Sequence, residues 1–181
     1  MRGKNAVLYP GVCLFFLLLL LRPPAFALEA DIAGLCFSPG GGCTNLVVKE
    51  IDGARRDIRV MAYDFTSVPI AGALARAKRR GVDVEIVFDS QNAGNSYSRV
   101  NFLRGNGIPI FIDTHVELMH DKVMIIDSKT VITGSFNWTR AAEFYNAENL
   151  LVVRSRQLAG LYLQNWNFQA RQSVRLTQPL Y

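Results

Sequence analysis

Histidine and cysteine are scarce in this chain, with two of the first and three of the second. No pair of either stands at metal-ligand spacing, and no cluster of carboxylates accompanies the histidines, so the sequence offers no footing for a metal centre. Internal repeats and low-complexity tracts are absent as well, which removes solenoids and repetitive tracts from consideration. Charge of one sign is not in large excess either. The formal net charge is +5, and part of it belongs to the first 27 residues.

The one long apolar run, VCLFFLLLLL, is about half the length of roughly 20 residues that a membrane-spanning helix needs. It is closed by Arg22-Pro23-Pro24, preceded by the basic Arg2 and Lys4, and followed by the small-x-small triplet Ala25-Phe26-Ala27. Residues 1–27 therefore read as a secretory signal peptide cut before Leu28, with a periplasmic or secreted destination. A retained membrane anchor is the rival reading, and Cys13 within the run is given no role. Losing Arg2, Lys4 and Arg22 takes the 20 basic residues to 17 against 15 acidic ones, a net of +2. That is too little for binding a polyanion by bulk charge, so any such binding needs local clusters. Arg55-Arg56 with Arg59, and Arg76 with Lys78-Arg79-Arg80, are candidates, although cations ending a helix before Gly81 are also an ordinary C-terminal arrangement.

Half of the residues are hydrophobic, which suffices for one domain over residues 28–181. Cys36 and Cys43 bracket FSPGGG, and in an exported chain a short-loop disulfide between them is expected, with two free buried thiols as the alternative. From Thr44 onward, helical and strand patterns alternate in an α/β manner: a mixed β-sheet flanked by α-helices, in one domain. Helices are expected over 44–56, from a Ser67 cap to Arg80, over 97–104, and from a Ser155 cap to about Arg171. Strands are expected over 58–65, 82–89, 108–113 and 149–154, with a polar loop over 91–98 and a frayed C-terminal tail.

One stretch, HDKVMIIDSKTVITGSFN at 120–137, concentrates the chemistry. VMIID and TVIT have strand composition and Asp127-Ser128-Lys129 is a turn, giving a hairpin. Alternation along a strand sets His120 and Lys122 on one face, an imidazole beside an ammonium, which suits an anionic substrate. Asp127 has the opposite parity and lies about 23 Å from His120, so it cannot orient that imidazole and is assigned to the turn as a structural acceptor. Gly134 permits a close backbone approach, and Ser135 and Asn137 offer neutral donors for phosphate-type oxygens. Thr139 caps a short helix whose free N–H groups also favour an anion.

The pattern H-x-K-x4-D-x6-G-S-x-N resembles the signature of the phospholipase D superfamily, and the chain is most similar to its single-motif, Nuc-type bacterial endonucleases. IRVMAYDFTS, ALARAKRRGVDVEIVFD and NAENLLVV resemble the corresponding family segments. Asp64 departs from the pattern, since relatives usually carry a small polar residue there. The resemblance implies that His120 attacks the phosphorus of a phosphodiester to give a covalent phosphohistidine. It implies that Lys122, Ser135 and Asn137 hold the non-bridging oxygens, with Asp127 and Gly134 structural, and that Glu148 hydrogen-bonds the nucleophilic histidine. No metal or cofactor is implied. A second proton donor is needed for the leaving oxygen, and His115 sits in an unmatched loop, so a two-fold homodimer is expected in which His120 of the second chain protonates it. The expected function is a non-specific endonuclease of DNA, with RNA also open. A phospholipase with an apolar rim built from Phe136, Trp138 and Phe144 is the alternative, and a catalytically silent polyanion-binding module is a weaker one.

Overall fold

The computed structural model describes residues 28–180, so the expected signal peptide and Cys13 lie outside the described residues. The strands are β1 (Asp31–Ser38), β2 (Asp57–Ala62), β3 (Asp83–Asp89), β4 (Ile110–Asp113), β5 (Lys122–Ile126), β6 (Thr130–Gly134), β7 (Glu148–Arg154) and β8 (Val174–Arg175). They form one sheet in the order β1-β7-β6-β5-β2-β3-β4-β8. β2, β3 and β4 run parallel, and the remaining pairings are antiparallel. The helices are α1 (Cys43–Asp52), α2 (Val68–Arg79), α3 (Ser90–Ala93), α4 (Val100–Gly105), α5 (Arg140–Phe144) and α6 (Arg156–Gln172).

Two apolar layers sandwich the sheet. On one side Val47 and Ile51 of α1, with Ile70 and Leu74 of α2, meet Val60, Ile86, Met124 and Ile132. On the other, Ala159 and Trp166 of α6 cover Met61, Val87, Val123, Ile125 and Val131. Alternation along each strand sends successive residues to opposite layers, so interior strands read as unbroken apolar runs. β5 is buried along its whole length. Burying each such aliphatic side chain stabilises the fold by about 1.5–3 kcal/mol before chain entropy is counted.

Local signals set the helix ends. Ser67 Oγ accepts from the Ile70 N–H at 3.4 Å, with a proline in the first turn of α2, and Ser155 Oγ accepts from the Leu158 N–H at the start of α6. α1 has no side-chain cap of its own: the Glu143 carboxylate, from α5, accepts from the Gly42 and Thr44 N–H groups at 3.0 and 2.7 Å. A disulfide between Cys36 and Cys43 joins β1 to the start of α1, with the Cα atoms 5.6 Å apart.

Several expected boundaries shift. The helix expected over 44–56 ends at Asp52, because the N–H groups of Arg55 and Arg56 bond to the Asp127 carboxylate and leave the helical path. The strand expected over 58–65 leaves the sheet after Ala62, and Phe65 makes only an isolated parallel bridge to Trp138. The polar loop over 91–98 begins inside a single helical turn, where Asp89 Oδ1 accepts from the Gln91 and Asn92 N–H groups. The tail is not wholly frayed, since Val174 and Arg175 pair with Ile112 and Phe111. β1 is a further edge strand, paired with β7.

Candidate active site

The hairpin is β5, a three-residue turn (Asp127 to Lys129) and β6. Asp127 and Ser128 both have positive φ, 53° and 52°, which fits the right-handed twist of the flanking strands. At this turn the Asp127 carboxylate accepts from the backbone N–H groups of Arg55 and Arg56, and Lys129 lies 4.0 Å away. Burial alone would raise its pKa. The N–H donors of Arg56, Arg55 and Asp57, with the Lys129 charge, overcome that and hold it below the usual carboxylate range.

The opposite end of the hairpin meets the carboxyl ends of β2 and β3, where open α/β sheets commonly place their sites. β5 pairs antiparallel with β2, so Lys122 stands beside Ala62, and the Tyr63 N–H bonds to the Asp121 carbonyl. Tyr63 thereby comes against the site: its ring centroid is 4.4 Å from that of His120, and Lys122 Nζ lies 4.6 Å from its centre. His120 is exposed, and among the described residues its ring makes no hydrogen bond or ion pair. The loop before it is pinned by buried Asp89, whose Oδ2 accepts from the Met119 N–H at 3.0 Å. Neither Tyr63 nor Asp89 was singled out from sequence. Asp89 ends a predicted strand and Tyr63 falls inside one, and only the β2–β5 pairing and the β3 terminus bring them here.

Lys122 is 7% exposed, and its Nζ donates to the His120 carbonyl. Burial lowers its pKa, and the nearby negative charges of Asp121, Glu148 and Asp89 offset part of that effect. A cleft of about 320 Å³ is lined by His120, Lys122, Gly134, Ser135 and Tyr162, among others. Gly134 has φ 152°, and a Cβ there would stand 2.2 Å from the Asn149 carbonyl oxygen, so only glycine lets β6 approach β7 so closely. The Ser135 hydroxyl accepts from the Asn149 N–H at 3.1 Å, which leaves its own hydrogen for another acceptor.

Two expected contacts differ. Glu148 accepts from Asn146 Nδ2 at 3.0 Å and makes no hydrogen bond to His120, whose ring rests on Tyr63 instead. Asn137 is half-buried beside the Phe65–Trp138 bridge rather than on the lining of the cleft, and its Oδ1 is buried without a partner. His115 lies exposed in the loop after β4, where its N–H bonds to Asp113. Among the described residues no group of three or more His, Cys, Asp or Glu side chains converges as a metal site requires.

The basic clusters also find partners. Arg59 pairs with Asp83 and Glu85 and lies over Trp166, while Arg76 and Arg80 pair with Asp52. Arg55, Arg56 and Arg59 stand at the starts of β2 and β3, the end of the sheet away from His120. Their structural reading is the better one.

A histidine and a lysine share this cleft with a glycine-serine turn at the head of an α/β sheet, and residues 47–168 match the family described as cardiolipin synthase, PLD-like domain. This chain belongs to the phospholipase D superfamily. Its single-motif form is that of Nuc from Salmonella typhimurium, whose structure superposes with a TM-score of 0.79 at 39% identity, covering 83% of this chain and all of that one. NucT from Helicobacter pylori shares the fold, with a TM-score of 0.75 at 24% identity over 82% of this chain and all of that one. A phospholipase D of Rickettsia felis is 44% identical over 131 residues, 72% of this chain and 66% of the relative. A mitochondrial cardiolipin hydrolase of Canis lupus familiaris is 30% identical over 149 residues, 81% of this chain and 59% of the relative. This chain thus spans just under two thirds of the length of the first of these curated relatives and less of the second.

Proposed function

We propose that this protein is an exported phosphodiesterase, and that it acts as an endonuclease on nucleic acid. The observation that carries the reading is the exposed, unbonded His120 ring beside the buried Lys122 ammonium at the mouth of one cleft. A ring nitrogen of His120 attacks phosphorus, the P–O bond to the leaving group breaks, and a phosphohistidine forms. Lys122 and the hydroxyl of Ser135 stabilise the charge that develops on the non-bridging oxygens, while the amide of Asn137, from beside the cleft, holds the phosphate in ground and transition state alike. The leaving alkoxide takes its proton from the imidazolium of a second copy's His120, and that ring, now neutral, accepts a proton from the water that later cleaves the phosphohistidine.

Nucleic acid is favoured over lipid by what surrounds the cleft. A groove of about 680 Å³ at the same end of the sheet is lined by Arg99 and Arg140, which form no ion pair among the described residues, with Tyr97 and Phe144 beside them. Cations interleaved with exposed aromatic faces suit phosphates and stacked bases. The one carboxylate lining the groove, Glu143, is engaged by the N–H groups that it caps. The lipid reading has support in the phospholipase D name of the Rickettsia felis relative. Two of the three residues expected for its apolar rim are buried, however, Phe136 and Trp138 at 1% and 0% exposure, and of the three only Phe144 is open. Export is supported by the leader pattern and by the Cys36–Cys43 bond, which suits an oxidising compartment.

The test is a parallel assay of the protein, with chelator present, on single-stranded DNA, duplex DNA, RNA and phospholipid vesicles. Cleavage of nucleic acid is expected, with His120→Ala lowering it by at least about a thousandfold. Turnover of vesicles alone would overturn the assignment of substrate.

A further inference from the structure

Asp64 lies two residues beyond the end of β2, and its surroundings are unusual for a carboxylate. Its Oδ1 is buried and has no hydrogen-bond partner. The isolated parallel bridge between Phe65 and Trp138 sets the preceding residues, Asp64 and Asn137, next to one another on adjacent segments of the chain. Residues opposite each other in a parallel pairing project to the same side, and the bridge residues themselves point into the core, at 1% and 0% exposure. Asn137 Oδ1 is also buried and unpartnered, while its Nδ2 has no partner and is not buried.

Two buried acceptors without a donor, on residues that the bridge brings side by side, are unfavourable, because each loses its hydrogen bonds to water and gains none in return. One proton between them satisfies both. Titratable groups lie on each element packed around Asp64: His120, Asp121 and Lys122 leading into β5, Arg99 ahead of α4, Arg140 beyond Asn137, and Glu148 at the head of β7. None of them forms an ion pair with Asp64. Burial raises the Asp64 pKa, and a hydrogen bond from the Phe65 backbone only partly counters it.

We propose that Asp64 is a positioning residue that holds its proton and donates it to Asn137 Oδ1, turning the Asn137 amide so that its N–H₂ faces the phosphate of the substrate. The neutral acid does two things at once: it locks the rotamer of a phosphate-binding amide and keeps a negative charge away from an anionic substrate. When Asp64 ionises, both effects reverse, so substrate binding weakens as pH rises through its titration. This deepens the phosphodiesterase reading and rests on it.

The experiment compares wild type, Asp64→Ala and Asp64→Asn on bis(p-nitrophenyl) phosphate across pH, with carbonyl ¹³C NMR of aspartate-labelled protein. Asp64→Ala is expected to raise KM about tenfold with little change in kcat, since one hydrogen bond to a binding group is lost. Asp64→Asn keeps a donor and is expected to recover most of that KM while removing the alkaline rise seen in wild type. One aspartate resonance, absent from Asp64→Asn, should titrate above the ordinary carboxylate range. The proposal is overturned if Asp64→Ala leaves KM unmoved, if the alkaline rise persists in Asp64→Asn, if no such resonance exists, or if Asp64→Asn loses kcat. The last result would make Asp64 the proton donor to the leaving group instead. If wild type cleaves no phosphodiester, the parent reading fails, and the NMR titration still decides whether Asp64 holds its proton.

Discussion

Asp127 serves the backbone at the end of the hairpin away from His120. Its carboxylate gathers N–H groups from the turn that links α1 to β2, so it ties the hairpin to the start of the parallel strands. Asp127→Ala orphans those donors in a buried site and is expected to cost about 1–3 kcal/mol in urea unfolding at pH 7. Its folded-state pKa lies below the ordinary value, so the ionised carboxylate stabilises the fold above the unfolded pKa. That contribution is lost as pH falls through the folded pKa, so the difference between wild type and variant should shrink in acid. A gap that stays constant down to about pH 2 would contradict the assignment. The role of Asp127 was legible from spacing alone, because parity and strand length exclude it from the site. Tyr63 and Asp64 were not legible in the same way: Tyr63 reaches His120 only through the pairing of β2 with β5, and Asp64 comes beside Asn137 only through the bridge of Phe65 to Trp138.

Among the elements, those with a strong apolar period and a cap were legible, α2 and α6 above all. Those held by partners elsewhere were not. β1 is an edge strand whose first five residues are exposed or half-buried, so its composition carries no clear alternation. β8 is two exposed residues defined wholly by β4. α3 is one polar turn raised by the Asp89 cap, with no apolar face to read. The end of β6 is set by a contact between elements, the approach of Gly134 to the Asn149 carbonyl. Gly134→Ala is expected to push β6 from β7, to lower stability by roughly 1–3 kcal/mol, and to displace Ser135 from the cleft. Thermal melting and phosphodiester turnover should both fall, and an unchanged melting temperature would contradict the steric account.

On the scale of the molecule, one copy of the motif gives one imidazole, while the proposed reaction uses two. If each site joins His120 of both subunits, then mixing wild type with His120→Ala leaves activity only in dimers that carry two intact histidines. Activity should then fall as the square of the wild-type fraction after refolding together, and sedimentation should give a dimer. A linear fall would show that each chain works alone. The two tryptophans offer a different view of the whole. Trp138 donates to the Met61 carbonyl from one apolar layer and Trp166 to the Val60 carbonyl from the other, so neighbouring peptide units of the same central strand are gripped from opposite sides. Each indole is therefore a private optical reporter for one half of the sandwich, and denaturation followed through one and then the other tells whether the two halves melt as a single cooperative unit.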